Sequence, residues 1–155
     1  MKIGVLQTGL VPEMLAPEHG QYAGMFQRFL GGNGFDFASW SVVEGDMPDS
    51  PMDCDGWLIT GSRHGVYENH PWLKPLEAFI RAARDLGRPM VGVCFGHQVM
   101  AQALGGDAAK FDGGWVVGAQ DYDFGDKTLT LAAWHQDQVL TPPPGARTIA
   151  SQAHC

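Results

Sequence analysis

Apolar residues in this chain occur in two kinds of run. Some are short and unbroken and end in glycine; others are longer and recur at helical spacing. Residues 2–8 are a compact apolar stretch closed by Gly9, and their side chains do not alternate cleanly. That pattern predicts a strand covered on both faces. Residues 12–20 read as a loop or the approach to a helix. Tyr22, Met25, Phe26, Phe29 and Leu30 then recur at helical spacing, which predicts a helix over 21–30, stopped by Gly31-Gly32-Asn33-Gly34. Residues 35–43 read as a second strand, 44–55 as a polar, proline-bearing loop, and 56–61 as a third strand ending at Gly61.

After a loop over 62–72, Leu76, Phe79, Ile80 and Ala83 mark a helix over 73–86, with Pro75 tolerated in its first turn and Gly87 as its stop. Met90 to Val93 reads as a fourth strand, and a helical pattern runs from Gly96 to Leu104. Strands alternating with helices imply a mostly parallel sheet with right-handed crossovers, whose active groups gather at the carboxyl ends of the strands. Gly61 and Cys94 both fall at such ends. Beyond Asp107 the pattern changes: 115–119 and 128–131 are β-like runs flanking a polar turn, expected to pair antiparallel. Residues 147–151 read as one further strand after a stiff Thr-Pro-Pro-Pro-Gly loop. The expectation is an α/β fold of one domain over 1–155, with a small antiparallel section in its C-terminal third.

Composition narrows the function classes. A chain of 155 residues that is 45% hydrophobic is long and apolar enough for a real core. Ten basic against 17 acidic residues give a formal charge of −7. With no basic run, nucleic acid and anionic membranes are poor partners. No apolar run approaches a membrane span, and Met1 to Val5 lacks the features of a signal peptide. Three cysteines without Cys-x-x-Cys argue against a disulfide framework and for a reducing cytoplasm. The six histidines show no metal-binding spacing, so no metal and no cofactor is expected.

The chemistry concentrates at Gly92-Val93-Cys94-Phe95-Gly96. A cysteine between a strand and a helix, with glycine two before and two after, has the spacing of a nucleophile elbow. Glycine supplies backbone freedom and close approach of strand to helix. Amide groups at the helix start favour a thiolate and a developing oxyanion. A free cysteine is more often a small buried hydrophobe, and Cys54 fits that description or a half-exposed loop position. His64 and His70, flanking Tyr67-Glu68, read as a solvated loop, with a lid over the thiol as the alternative.

Four segments together resemble the class I glutamine amidotransferase domain, in particular stand-alone proteins similar to the amidotransferase part of GMP synthase. They are Gly92-Val-Cys-Phe-Gly-His-Gln98, Leu58-Ile-Thr-Gly-Ser62, Gln102-Ala-Leu-Gly-Gly106 and Trp134-His-Gln-Asp-Gln-Val139. The resemblance implies a flavodoxin-like three-layer sandwich. It implies that Cys94 attacks the side-chain amide of L-glutamine, or of another γ-glutamyl compound, and forms a thioester. Backbone N–H groups of Phe95 and of the Gly61-Ser62 turn would hold the oxyanion. Gln98 would help hold the substrate, and Trp134, His135 and Asp137 would lie beside its α-amino and α-carboxyl groups. A separate synthetase or other acceptor would take the ammonia. Oligomeric state is not readable from the pattern.

One part of the family pattern is missing. Relatives complete a Cys-His-Glu triad with a C-terminal His-x-Glu, and no His-x-Glu follows Cys94 here. His97, His135 and His154 remain as candidates, and none is assigned. The expectation is a chain truncated at its C-terminal end and inactive or impaired as it stands. Two alternatives stay open: a non-catalytic binding fragment that keeps the fold, and another Cys-elbow α/β protein of the dienelactone-hydrolase-like or protease/chaperone-like kind. Gln98 and the 134–139 segment speak against the latter.

Overall fold

A computed structural model describes residues 1–152. The chain forms β1 (Lys2–Leu6), a one-turn helix α1 (Ala16–His19), α2 (Tyr22–Phe29), β2 (Asp36–Trp40), β3 (Gly56–Ile59), α3 (Leu73–Asp85), β4 (Met90–Gly92), α4 (Phe95–Ala103), β5 (Asp107–Lys110), β6 (Val116–Asp123), β7 (Thr128–His135) and β8 (Asp137–Thr141). Strands β2-β1-β3-β4 make one sheet in that order, all parallel. The anticipated alternation and the parallel sheet are therefore present.

The unbroken apolar runs are explained by burial on both faces of the sheet. Val5 and Leu58 point to one face, where Ala23 and Phe26 of α2 and Leu30 just after it cover them. Leu6, Trp57 and Ile59 point to the other, against Leu73, Leu76, Phe79, Ile80 and Ala83 of α3 and Phe95 and Val99 of α4. This makes the three layers of a flavodoxin-like sandwich. Just past the carboxyl ends of β1 and β3, two buried threonines tie the chain together. Thr8 N–H donates to Thr60 Oγ1 at 3.0 Å, and Thr8 Oγ1 donates to the Thr60 carbonyl at 2.8 Å.

The C-terminal third holds two small antiparallel pairs, β5 with β8 and β6 with β7. The β6–β7 pairing bears out the antiparallel expectation. Strand β5 was not legible: Asp-Ala-Ala-Lys carries little β character, and it is held by pairing with β8 and by packing Ala108 into the core. The further strand expected over 147–151 does not form. Only Ser151 makes an isolated bridge, to Asp123. Its apolar Ile149 is 66% exposed, so no face exists there to bury a strand. The second strand is also shorter than expected, because Val42–Glu44 close into a 3₁₀ turn. Among the described residues, no helix is long and apolar enough to cross a membrane.

Helix α4 sits unusually close to the sheet. A Cβ added to Gly96 would lie 2.2 Å from the Ile59 carbonyl oxygen, and one added to Gly92 would lie 2.4 Å from the Gly96 carbonyl carbon. Both obstacles are backbone and cannot swing aside. Gly96→Ala is therefore expected to destabilise the fold by about 3 kcal/mol or more through overpacking. Gly24→Ala, inside α2 with only the Arg28 guanidinium nearby at 3.5 Å, is expected to stabilise it by about 0.5–1 kcal/mol through helix propensity. Urea denaturation of both variants checks the contrast.

Candidate functional site

The site is built from the turn between β4 and α4. Val93 N–H donates to the Ile59 carbonyl at 3.0 Å, which still holds the chain to β3. Cys94 then turns to φ 54°, ψ −111°, and it is the only non-glycine residue with positive φ among those described. The helix starts at once: the Cys94 carbonyl accepts from Gln98 N–H at 3.1 Å. Such a conformation costs on the order of 1–3 kcal/mol in a residue with a Cβ. The strained position is thus the cysteine itself. The flanking glycines serve the other purpose expected of them, close approach of backbone to backbone.

Cys94 opens into a cleft of about 410 Å³. Gly61, Ser62, Gln98, Trp134, His135 and Asp137 line it as well, so the structure brings together all the anticipated side chains. Gly61 lies close: a Cβ built there would be 3.5 Å from the Cys94 Cβ. The Phe95 ring points away, fully buried, edge-on to Trp72 at 5.7 Å between centroids. Only its backbone is directed at the thiol. Gln98 is buried, and its Nε2 donates to the Asp137 carbonyl at 2.8 Å. That bond joins α4 to β8 across the cleft floor. Trp134 is largely exposed beside Trp115, with ring centroids 6.1 Å apart.

Electrostatics correct one expectation. The helix start does not depress the Cys94 thiol overall. Cys94 stays exposed at the mouth of the cleft, yet partial desolvation by the cleft walls pushes its pKa above the usual thiol value, the Asp137 carboxylate adds to the rise, and a hydrogen bond with the Phe95 backbone only partly offsets them. Cys54 is buried, as expected of a structural cysteine. Of the candidate bases, His135 lines the cleft, with Gln138 Nε2 at 3.4 Å from its Nδ1. His97 is not among the cleft residues; it is exposed, and partial desolvation lowers its pKa. His154 lies outside the described residues.

The loop after β3 is more than a solvated connection. Val66 anchors it in the core, and Gln102 Nε2 donates to the Val66 carbonyl at 3.2 Å. Glu68 Oε2 meets His64 Nδ1 at 3.2 Å and His70 Nε2 at 2.6 Å. His70 stacks on Trp72 at 5.3 Å and 10°. The His70 hydrogen bond is the main reason the Glu68 carboxyl titrates below its usual range. His64, Tyr67 and Glu68 face the cleft, and Tyr67 Oη donates to Asp137 Oδ1 at 3.3 Å. Tyr22, Arg63 and Lys110 also line it and were not anticipated. The i, i+4 spacing of His64 and Glu68, directly after the Gly61 strand end, was the available signal.

Comparison with known proteins agrees with this architecture. The family model for glutamine amidotransferase class-I matches residues 37–154. Gamma-glutamyl peptidase 4 of Arabidopsis thaliana is 30% identical over an alignment covering 89% of this chain and 61% of its own length. A GMP synthase (glutamine-hydrolyzing) of Aromatoleum aromaticum is 31% identical over 64% of this chain and 21% of its own. The crystal structure of a glutamine amidotransferase from Methylobacillus flagellatus superposes with a TM-score of 0.79 at 25% identity, covering all of this chain and 62% of that one. The chain thus spans about six-tenths of the length of the gamma-glutamyl peptidases it matches. A match over three-quarters of its residues, on the same sheet and elbow, makes the chain a member of the class-I glutamine amidotransferase family.

Proposed function

We propose that residues 1–155 belong to one domain of a protein that cleaves a γ-glutamyl amide bond through a thioester on Cys94. The observation that carries this is the Cys94 backbone at φ 54°, which holds the thiol over the open cleft. The thiolate sulfur attacks the γ-carbonyl carbon. The tetrahedral oxyanion lies toward the Phe95 and Gly61-Ser62 amides, which supply donors aimed at developing charge. The tetrahedral intermediate collapses, the C–N bond breaks, and the nitrogen takes a proton from water as it leaves as ammonia or a free amine. Water attacks the thioester and releases glutamate. Gln98 and Asp137 fix the inner wall, and Trp134 and His135 the outer one, where the α-amino and α-carboxyl groups are held.

Two substrates share this chemistry. Glutamine releases ammonia, which a separate synthetase consumes, as the GMP synthase relative suggests. A γ-glutamyl peptide releases an amine that itself needs room. Arg63 and Lys110 on the border of the cleft favour the peptide, because their charges suit a leaving group with its own carboxylate. The relatives named gamma-glutamyl peptidases support the same choice. The free cysteines suit a cytoplasmic setting.

Labelling tests the nucleophile. A glutamine-analogue chloromethyl ketone is expected to add one equivalent, at Cys94, read by intact mass and peptide mapping; Cys94→Ala abolishes it. Absence of an adduct in a folded chain refutes the assignment. No His-x-Glu follows Cys94 in the sequence, so turnover of glutamine or γ-glutamyl peptides by the 155 residues alone is expected to be slight.

The pH dependence follows from the raised thiol. A raised pKa keeps the sulfur protonated through neutrality, so the reactive thiolate is scarce there. The rate of Cys94 alkylation by iodoacetamide is expected to climb with pH and to level off only above the usual thiol range. Asp137→Asn removes a charge that favours the protonated form, so its curve moves to lower pH and its neutral-pH rate rises. Stopped-time mass spectrometry across a pH series measures both.

A further inference from the structure

The loop between β3 and α3 carries three metal-competent groups that the proposed chemistry does not use. One ligand atom from each of His64, Glu68 and His70 lies within 4.8 Å of the other two, with Glu68 Oε2 3.2 Å from His64 Nδ1 and 2.6 Å from His70 Nε2. They come from positions 64, 68 and 70 of a loop rather than a helix, so the i, i+4 spacing of His64 and Glu68 does not by itself bring His70 to them. The fold supplies the convergence. Glu68 N–H donates to the Gly65 carbonyl at 3.1 Å, which curls the loop back on itself. His64 N–H donates to Ser62 Oγ at 3.2 Å, and Leu73 N–H to the His70 carbonyl at 3.1 Å. The two imidazoles stand 4.2 Å apart, both against the buried Trp72 ring, at 5.8 and 5.3 Å. Packing therefore holds the rings in place before any ion arrives.

We propose that His64, Glu68 and His70 form a binding site for a divalent transition ion of the Zn²⁺ type. Two imidazole nitrogens and one carboxylate oxygen are a donor set that such ions take, with a fourth position left for water or a bound molecule. Bonds of about 2.0–2.1 Å in a tetrahedral site place ligand atoms about 3.3 Å apart. The His64–Glu68 separation of 3.2 Å already matches, and the His70–Glu68 separation of 2.6 Å must open by less than 1 Å. The groups remain reachable, with side-chain exposures of 20%, 40% and 27%. At present each imidazole donates an N–H to the carboxylate. On binding, those nitrogens turn their lone pairs to the ion and each ring proton moves to the other nitrogen. Calcium and magnesium, which prefer all-oxygen sites, fit poorly. Because His64 and Glu68 line the cleft, the ion borders it, where Arg63 and Lys110 oppose and Asp137 favours its charge.

The site is independent of the role given to Cys94, and so is its test. Zn²⁺ titrated into the 155-residue chain by calorimetry is expected to bind one equivalent with micromolar or tighter Kd. Affinity should fall as pH drops through the imidazole range, because protons compete for the same nitrogens. Co²⁺ in its place should show the visible bands of a four-coordinate ion without a sulfur charge-transfer band. His64→Gln and His70→Gln are each expected to raise Kd at least tenfold. In the unaltered chain, Zn²⁺ should shift the ring resonances of two of the six histidines, which keeps the test decisive if a variant folds poorly. No saturable binding, shifts at other histidines, or binding lost with Cys94→Ser but kept in the histidine variants would overturn the assignment.

Discussion

The contact on which this molecule depends is backbone against backbone. The first turn of α4 rests directly on the carboxyl end of β3, with Gly96 against the Ile59 carbonyl and Gly92 against Gly96. No side chain fits between them. That closeness fixes where the chain must reverse, and the reversal falls on Cys94. It also brings Gln98 to the Asp137 carbonyl, so the C-terminal β section is pinned to the same helix. The cleft is bounded by elements that all refer back to this one seat.

The Thr8–Thr60 pair performs a related task beside it. Two adjacent parallel strands end at the same level, and their polar ends are satisfied internally. The turn after Gly61 therefore leaves the sheet at a fixed height opposite the thiol. Core and site share their supports: Phe95 fills the core with its ring while its backbone faces Cys94, and Trp72 packs on Phe95 while carrying the His70 ring.

Much of this was legible in the sequence because burial writes a strong pattern. Residues 3–6 and Gly56–Ile59 are apolar without alternation since both their faces are covered. The elbow was legible because only glycine tolerates the contacts at 92 and 96. What stayed hidden depends on long-range neighbours. Asp107–Lys110 becomes a strand because Asp137–Thr141 pairs with it, and Ile149 fails to extend one because nothing lies beside it to cover it. The rise of the Cys94 pKa comes from cleft walls and Asp137, 43 positions onward. His64, Glu68 and His70 read as a polar loop until the curl at Gly65 brings them together.

The strained angle at Cys94 sets stability and chemistry against each other at a single residue. A glycine there would relax the turn and remove nothing from the core, so the fold alone gains by losing the thiol. Random substitution screened for thermal resistance would thus tend to erase this position. A screen for thiol reactivity would keep it at a cost in melting temperature. Any effort to harden this protein has to hold position 94 fixed and seek its gains elsewhere.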